Sequence, residues 1–427
     1  MFASLKGLFS PTNKDLRKRI LFTLLCLAIF GLGTNIVVPG AKEITKNLGF
    51  LELLNLMSGG GLKTFSIFAL GVMPYITASI ITQLFQMDII PYFKELKEQG
   101  ATGQQKLNRI NRYLGILFAF VQGFAFSYAF LGAVGTSEII KTTLILTAGT
   151  AFLLWLGDEI TKKGIGNGMS LIIMAGIVNT LPNTFITAYQ SLVNGTQYSA
   201  LTGLFLFAIF VLVYIFIIVG VIYTQTAERR IPIQYSNRTS SAYSGNKSFI
   251  PIKLNSAGVV PVIFAGALIG IPSLIAEVLN KPAFTQFLEK YIVYTSYTGF
   301  LLYMVLIFVF GYFYTLLQLN PTEMAENLDK NRSYIPGITP GEKTSTYLRF
   351  VITRITVVGT IFLMIIAGIP IIFSAVTSLP ANVSLGGTGL LIVVGVALET
   401  YKQLESSIVS RSYSGRRKGR IRAKWKT

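Results

Sequence analysis

The sequence predicts an all-α membrane protein: ten transmembrane helices in two inverted five-helix halves, with one short re-entrant helix. Three observations carry that expectation. The 427-residue chain is 52% hydrophobic and only 13% charged, and its mean hydropathy is positive; a soluble chain of this length needs far more polar surface. Runs such as 21–38, LFTLLCLAIFGLGTNIVV, and 204–223, LFLFAIFVLVYIFIIVGVIY, carry no charge, and roughly 20 apolar residues cross a ~30 Å hydrocarbon core as a helix. A proline-containing phrase, GVMPYITA at 71–78, returns as GVVPVIFA at 258–265, identical at five of eight positions and 187 residues further on.

The expected spans, in order, are about 20–38, 72–88, 113–133, 142–157, 169–188, 203–223, 257–276, 299–319, 351–372 and 387–401. The first follows a basic stretch, KDLRKR at 14–19. It is long and lacks a small-x-small cleavage site, so it reads as a permanent span, not a signal peptide. Before the second span, residues 58–71 read SGGGLKTFSIFALG. Leu62 to Ala69 is mostly apolar, bracketed by Gly59–Gly61 and Gly71. Eight or nine helical residues cover only ~13 Å, too little to cross a bilayer. A re-entrant helix hinged on glycines and a loop helix lying at the interface both fit.

The two copies of the repeated phrase open the second and seventh spans, so each is the second of five. An odd number of spans per half inverts the second half, which is the pattern of an inverted repeat with its path between the halves. Coincidence among common membrane residues is the competing account. Pro74 and Pro261 each remove a helix hydrogen bond or occupy a first turn. A broken helix start at membrane depth needs cover from protein or water, so both copies are expected to face an interior.

Basic residues set the sidedness. Of the 37 Lys and Arg, 31 fall on one side of this span scheme, which the positive-inside rule makes cytoplasmic, together with both termini. The +19 net charge therefore sits almost wholly on one face. Anionic lipid headgroups account for such a face. So does an RNA-rich or acidic partner docking on the long 224–256 and 320–349 loops.

Composition excludes much chemistry. There is no histidine, and Cys26 is the single cysteine, so imidazole catalysis and an internal disulfide are ruled out, and zinc or haem ligation is not expected. Asp158, Glu159 and Glu399 fall at helix ends, and no buried charge marks an ion-coupled path. The GEKT at 341–344 lacks a phosphate-loop frame. No catalytic residue, metal or cofactor is expected. Ile76 and Ile263 occupy the same place in the two phrases. A ring of aliphatic side chains can hold back water by dewetting, although ordinary helix packing explains any single isoleucine.

Several long stretches, taken together, resemble the SecY family of protein-conducting channels. They are GVMPYITASIITQL (71–84), WLGDEITKKGIGNGMS (155–170), IPIKLNSAGVVPVIFA (250–265), NPTEMAENL (320–328), PGITPGEKT (336–344) and GGTGLLIVVGVALET (386–400). The resemblance runs from about residue 14 to 415. It implies the central pore subunit of the general secretion translocase, which conducts unfolded polypeptides and releases hydrophobic segments sideways into lipid. It implies an N-terminal half at 1–200 and a C-terminal half at 201–427, with a lateral gate between helices 2–3 and 7–8. Gate-helix positions fall on Pro74, Thr77, Gln83, Pro261 and Phe264. The pore ring falls on Val72, Ile76, Ile173, Ile263 and Ile392, all β-branched and stiff at χ1. The plug falls on Leu62, Lys63, Thr64, Phe65, Ser66, Ile67, Phe68, Ala69 and Leu70.

The same resemblance implies docking of a ribosome or the SecA motor on the two long loops, through Arg229, Arg230, Arg238, Lys247 and Lys343. It further implies SecE-like and SecG-like small subunits, secretory polypeptides as substrates, and a bacterial inner membrane. Two departures stand out. Thr339 replaces the usual arginine before the second loop's PGE, and Ser240–Ser241 stand near the first loop's tip. The basic tail at 402–427 is a further contact or a solvated extension. A secondary transporter for small molecules, or a lipid-handling scaffold, is the alternative class. An intramembrane polar cluster would favour the transporter.

Overall fold

The computed structural model describes residues 14–41, 44, 51–86, 90–131, 135–194, 199–235, 248–279, 281–293, 296–377 and 379–424. The chain is mostly helical. In order, α1 is Lys14–Gly33, α2 Leu51–Met57, α3 Met73–Phe85, α4 Pro91–Glu98, α5 Ala101–Phe130, α6 Thr136–Lys163, α7 Gly168–Val193 and α8 Ala200–Thr226. Strands β1 (Glu228–Tyr235) and β2 (Ser248–Lys253) follow, then α9 (Val260–Leu279), α10 (Pro282–Tyr291), α11 (Tyr297–Gln318), α12 (Pro321–Lys330), β3 (Ser333–Tyr334), α13 (Glu342–Thr377) and α14 (Ala381–Lys424). Among the described residues, six helical runs are long and apolar enough to cross a membrane: Ala101–Phe130, Thr136–Lys163, Gly168–Val193, Ala200–Thr226, Tyr297–Lys330 and Glu342–Thr377. The protein is a multi-pass membrane protein.

Two compact units make up the chain. One comprises Met1–Ile186, Glu277–Asn280 and Ile392–Thr427; the other comprises Thr187–Ala276 and Lys281–Leu391. In the first, glycines let elements approach closely. A Cβ on Gly115 would stand 3.3 Å from the Tyr75 Cα, which brings α5 against α3. A Cβ on Gly168 would collide with the Gly157 carbonyl, which seats the start of α7 against α6. Small residues at such crossings are how membrane helices gain contact where lipid tails already match their polarity.

The expectation of an all-α fold needs one correction, in the second unit. Strands β1, β2 and β3 form an antiparallel sheet in the order β2-β1-β3. Ile231 pairs with Ile250, and Gln234 with Tyr334. Ile231 and Ile252 are buried with Ala325 and Leu328 of α12, Ile335, and Leu348 and Ile352 of α13. The two segments read as loops, 224–256 and 320–349, thus share one small hydrophobic core. Pro232 lies in the central strand without cost to the ladder, because β3 pairs only with Gln234 and Tyr235 and leaves that side of Pro232 open.

Element ends also differ from expectation. The run expected to span 20–38 begins six residues earlier and stops being helical at Gly33. Its last residues leave the helix to pair with another segment. The helix of the expected 72–88 span has 13 residues, or about 20 Å. The expected 387–401 span lies inside the 44-residue α14.

Candidate functional site

Both copies of the repeated phrase fold the same way. Gly71 and Gly258 take positive φ, +54° and +63°, a conformation glycine adopts without a steric penalty. Two residues later α3 and α9 begin, at Met73 and Val260. Pro74 and Pro261 are therefore second in their helices, where an amide hydrogen has no intrahelical partner to lose. In each copy the isoleucine amide donates to the valine carbonyl four residues back: Ile76 to Val72 at 3.1 Å, and Ile263 to Val259 at 3.4 Å. Exposure matches as well: Ile76 is 7% and Ile263 8% exposed, and Ala78 and Ala265 are both fully buried.

Of the residues expected to form an aliphatic ring, Val72, Ile76, Ile173 and Ile392 belong to the first unit and Ile263 to the second. All five are buried. Among the gate-helix positions, the Thr77 hydroxyl donates to the Met73 carbonyl at 3.1 Å. Gln83 donates to the Ser79 hydroxyl at 3.1 Å and leaves its own Oε1 buried without a partner. Phe264 stands edge-on to Phe310 and Tyr314 of α11, at 5.9 and 6.1 Å.

The segment expected to be a short helix at 62–70 is instead a run of turns, which corrects its form. Gly59, Gly60 and Gly71 have positive φ, and so does Phe65 at 51°, so right-handed helical space is broken at both ends and in the middle of the segment. The helix in this region is α2, which precedes the glycines. Ile36–Val38 and Ile44 supply the partners the turns need. Val37 and Ser66 form an antiparallel bridge. The Val38 amide donates to Phe65 at 3.0 Å, Ile67 to Ile36 at 2.9 Å, and Ile44 to Lys63 at 2.9 Å.

Side chains hold the same segment from several directions within the first unit. Phe68 stacks between Phe30 and Phe152, with centroids 6.1 and 5.9 Å away. Gly33 and Gly149 make room for it, since a Cβ at either would strike the Phe68 ring or the Ile67 carbonyl. Asn179 of α7 donates to the Gly59 carbonyl at 2.9 Å. Asn55 of α2 accepts from the Lys63 amide at 3.0 Å and donates to Glu52 at 3.0 Å. Burial pushes the Glu52 carboxyl above its ordinary pKa, against the opposing pull of that hydrogen bond and of Lys63. Leu62, Phe65, Ser66, Phe68, Ala69 and Leu70 are buried, Thr64 and Ile67 are half-buried, and Lys63 is exposed. The partner segment at 34–44 carries no sequence signal of pairing. Nor was the Arg112–Asp158 ion pair that joins α5 to α6 at 2.8 Å anticipated.

The basic positions divide. Arg229 and Arg230 are exposed on β1. Arg230 donates to Glu228 at 2.8 Å and lies 4.7 Å over the Phe249 ring, which pins its direction. Lys343 is exposed in the first turn of α13, and the Thr339 carbonyl accepts from the Thr344 hydroxyl at 3.0 Å. Arg238 and Lys247 lie outside the described residues. Among the described residues, no group of three or more acidic, Cys or His side chains could hold a metal ion.

The SecY family model matches residues 66–401. The chain belongs to the SecY family. It is 44% identical over 418 residues to the protein translocase subunit SecY of Staphylococcus epidermidis, covering 95% of this chain and 97% of that one. To the Staphylococcus carnosus SecY it is 42% identical over 429 residues, covering 97% and 99%. Among solved structures it resembles a protein-conducting channel with a TM-score of 0.68 at 21% identity, covering 93% of each chain. It also resembles a SecY whose plug domain is described as stabilising the closed channel, and Sec61 from a canine ribosome–channel complex. Each has a TM-score of 0.64 at 20% identity and covers 93% of both chains. As a SecY-family protein, the chain is a protein-translocation channel and not an enzyme.

Proposed function

We propose that this chain is the central pore subunit of a general secretion translocase, with ten spans in two inverted five-helix halves divided near residue 200. It passes unfolded polypeptides across a bacterial inner membrane and releases hydrophobic segments sideways. The observation that carries this reading is the repeated phrase, folded alike in two units down to the glycine φ, the proline position and the isoleucine hydrogen bond. Helices that start alike supply matched walls for one path. Val72, Ile76, Ile173, Ile263 and Ile392 form its constriction, where stiff aliphatic side chains exclude water yet give way to an extended chain. Pro74, Thr77, Gln83, Pro261 and Phe264 lie on the helices that part sideways.

Residues 58–71 act as the plug, with Leu62–Leu70 at its centre. Three backbone hydrogen bonds to 34–44 tether it, together worth on the order of 3 kcal/mol. That is enough to favour a shut resting state and little enough for a driven chain to overcome.

The module of β1–β3 and α12 faces the cytoplasm, as do both termini. It presents Arg229, Arg230 and Lys343, with Arg238 and Lys247 beside them in sequence, to a ribosome or a SecA motor. Ribosome-bound Sec61 among the fold's neighbours supports the first. Anionic lipid meets the remaining basic charge and the tail at 402–427, and SecE-like and SecG-like subunits complete the channel.

The test is a crosslink. Cys26→Ser removes the native thiol, Ile263→Cys places one in the constriction, and a secretory chain with a single cysteine is stalled midway through export. A disulfide that appears only at stall lengths bringing the two thiols together is expected. No disulfide at any length, with a control cysteine reacting, would overturn the reading and favour a small-molecule transporter.

A further inference from the structure

The segment between α9 and α11 holds a short amphipathic helix that the channel reading leaves unused. Helix α10, PAFTQFLEKY, buries Leu288 at 3% exposure against the protein. One turn apart on its outer side, Phe287 and Tyr291 stand 52% and 43% exposed with their rings 5.1 Å apart. Lys290 lies 5.4 Å over the Tyr291 ring, and Gln286 and Lys281 are exposed. An aromatic pair flanked by lysines is costly in water and at ease where acyl chains meet headgroups.

The neighbouring helix says what covers this face. The Thr298 hydroxyl of α11 donates to the Lys290 carbonyl at 3.1 Å, which ties the end of α10 to the start of α11. From that joint, Tyr297, Leu301, Val305 and Val309 run down α11 at every fourth residue, 83%, 53%, 46% and 51% exposed. On a helix apolar and long enough to cross the membrane, such a stripe faces lipid. The end of α10, next to Tyr291, is tied to the head of that stripe.

We infer that α10 is an interfacial anchor, lying in the membrane plane with Phe287 and Tyr291 in the headgroup–acyl boundary on the side opposite the β1–β3 module. Its partner is the lipid surface itself. The side assigned rests on α9 and α11 both crossing, as the proposed ten-span layout has them; the depth does not. Any movement of α9 relative to the bilayer must then carry or strain this anchored segment.

The experiment uses the full chain with its co-purifying subunits, in vesicles of phosphatidylethanolamine and phosphatidylglycerol. Single cysteines in a Cys26→Ser background, Phe287→Cys and Tyr291→Cys, are spin-labelled and their collision rates with oxygen and with an aqueous nickel chelate compared. Gln286→Cys serves as the aqueous reference and Leu301→Cys as the lipid reference. Labels at 287 and 291 are expected to favour oxygen over nickel, at depths between the two references. Aqueous behaviour equal to that at 286 would overturn the anchor, and shielding from both reagents would assign the face to a protein partner and overturn it equally. A Phe287→Trp variant, which keeps an aromatic ring, gives a second readout: its added fluorescence should be quenched by brominated lipid, and an unquenched increment counts against the inference. Labelling Lys281→Cys with a membrane-impermeant thiol reagent reports the side alone, so an error in the layout is distinguishable from an error in the depth.

Discussion

Gly149 shows how much a single atom decides in the first unit. It lies in the middle of α6, where an alanine would ordinarily favour the helix by up to about 1 kcal/mol. A Cβ there would drive into the Ile67 carbonyl, so the turns carrying Phe68 must shift. Overpacking a tight site of this kind costs about 1–3 kcal/mol, more than the helix gains. Gly149→Ala is therefore expected to lower the thermal midpoint in detergent and to raise resting ion conductance in planar bilayers. Both effects share one cause, because the displaced element is the proposed plug. A variant with unchanged midpoint and unchanged conductance would show that the close approach of α6 to Ile67 is not a structural constraint. Asn55 is the polar counterpart: buried at 5% exposure, it satisfies the Lys63 amide and Glu52 with opposite ends of one amide group.

Among the elements, the repeated phrase was the most legible. Glycine, proline and a fixed spacing write a helix start directly into the chain, and both copies begin where the phrase puts them. The proposed plug segment was half legible. Its glycines announced a break in the membrane pattern, yet apolar content between them suggested a helix, and the positive φ at Phe65 has no signal in residue type. Its bridging partner around Val37 was not legible at all, since a pairing some 30 residues away leaves no local period. The segment holding ERRIPIQY read as a long basic loop; the buried face of β1 is set by α12 and α13, which only the folded chain supplies. The pairing of Ile36–Val38 with the proposed plug makes its own prediction. Val37 and Ser66 are a narrow, non-hydrogen-bonded antiparallel pair, flanked by the Val38–Phe65 and Ile67–Ile36 bonds. Such pairs bring Cα atoms to about 4.5 Å, within disulfide range. In a Cys26→Ser background, oxidising Val37→Cys with Ser66→Cys should block export and reduction should restore it. Equal export by oxidised and reduced protein would mean that the pairing need not open.

On the scale of the whole molecule, the sequence spoke most clearly through what it withholds. The chain has no histidine and one cysteine, and the isoleucine shared by the two copies is buried in both. A seal made jointly by two units has a signature that no single residue can counterfeit. If Ile76 and Ile263 close one constriction, removing either side chain leaves the other to fill part of the gap, while removing both opens a continuous wet path. Ile76→Gly and Ile263→Gly should each raise resting conductance modestly, and the double variant should exceed the sum of the two. Glycine also costs each helix about 1 kcal/mol, so the thermal midpoint must be followed in parallel: for two independent sites that loss adds, whereas the conductance does not. Strictly additive conductance in a double variant that remains folded would mean that the two isoleucines pack their own helices and share no ring.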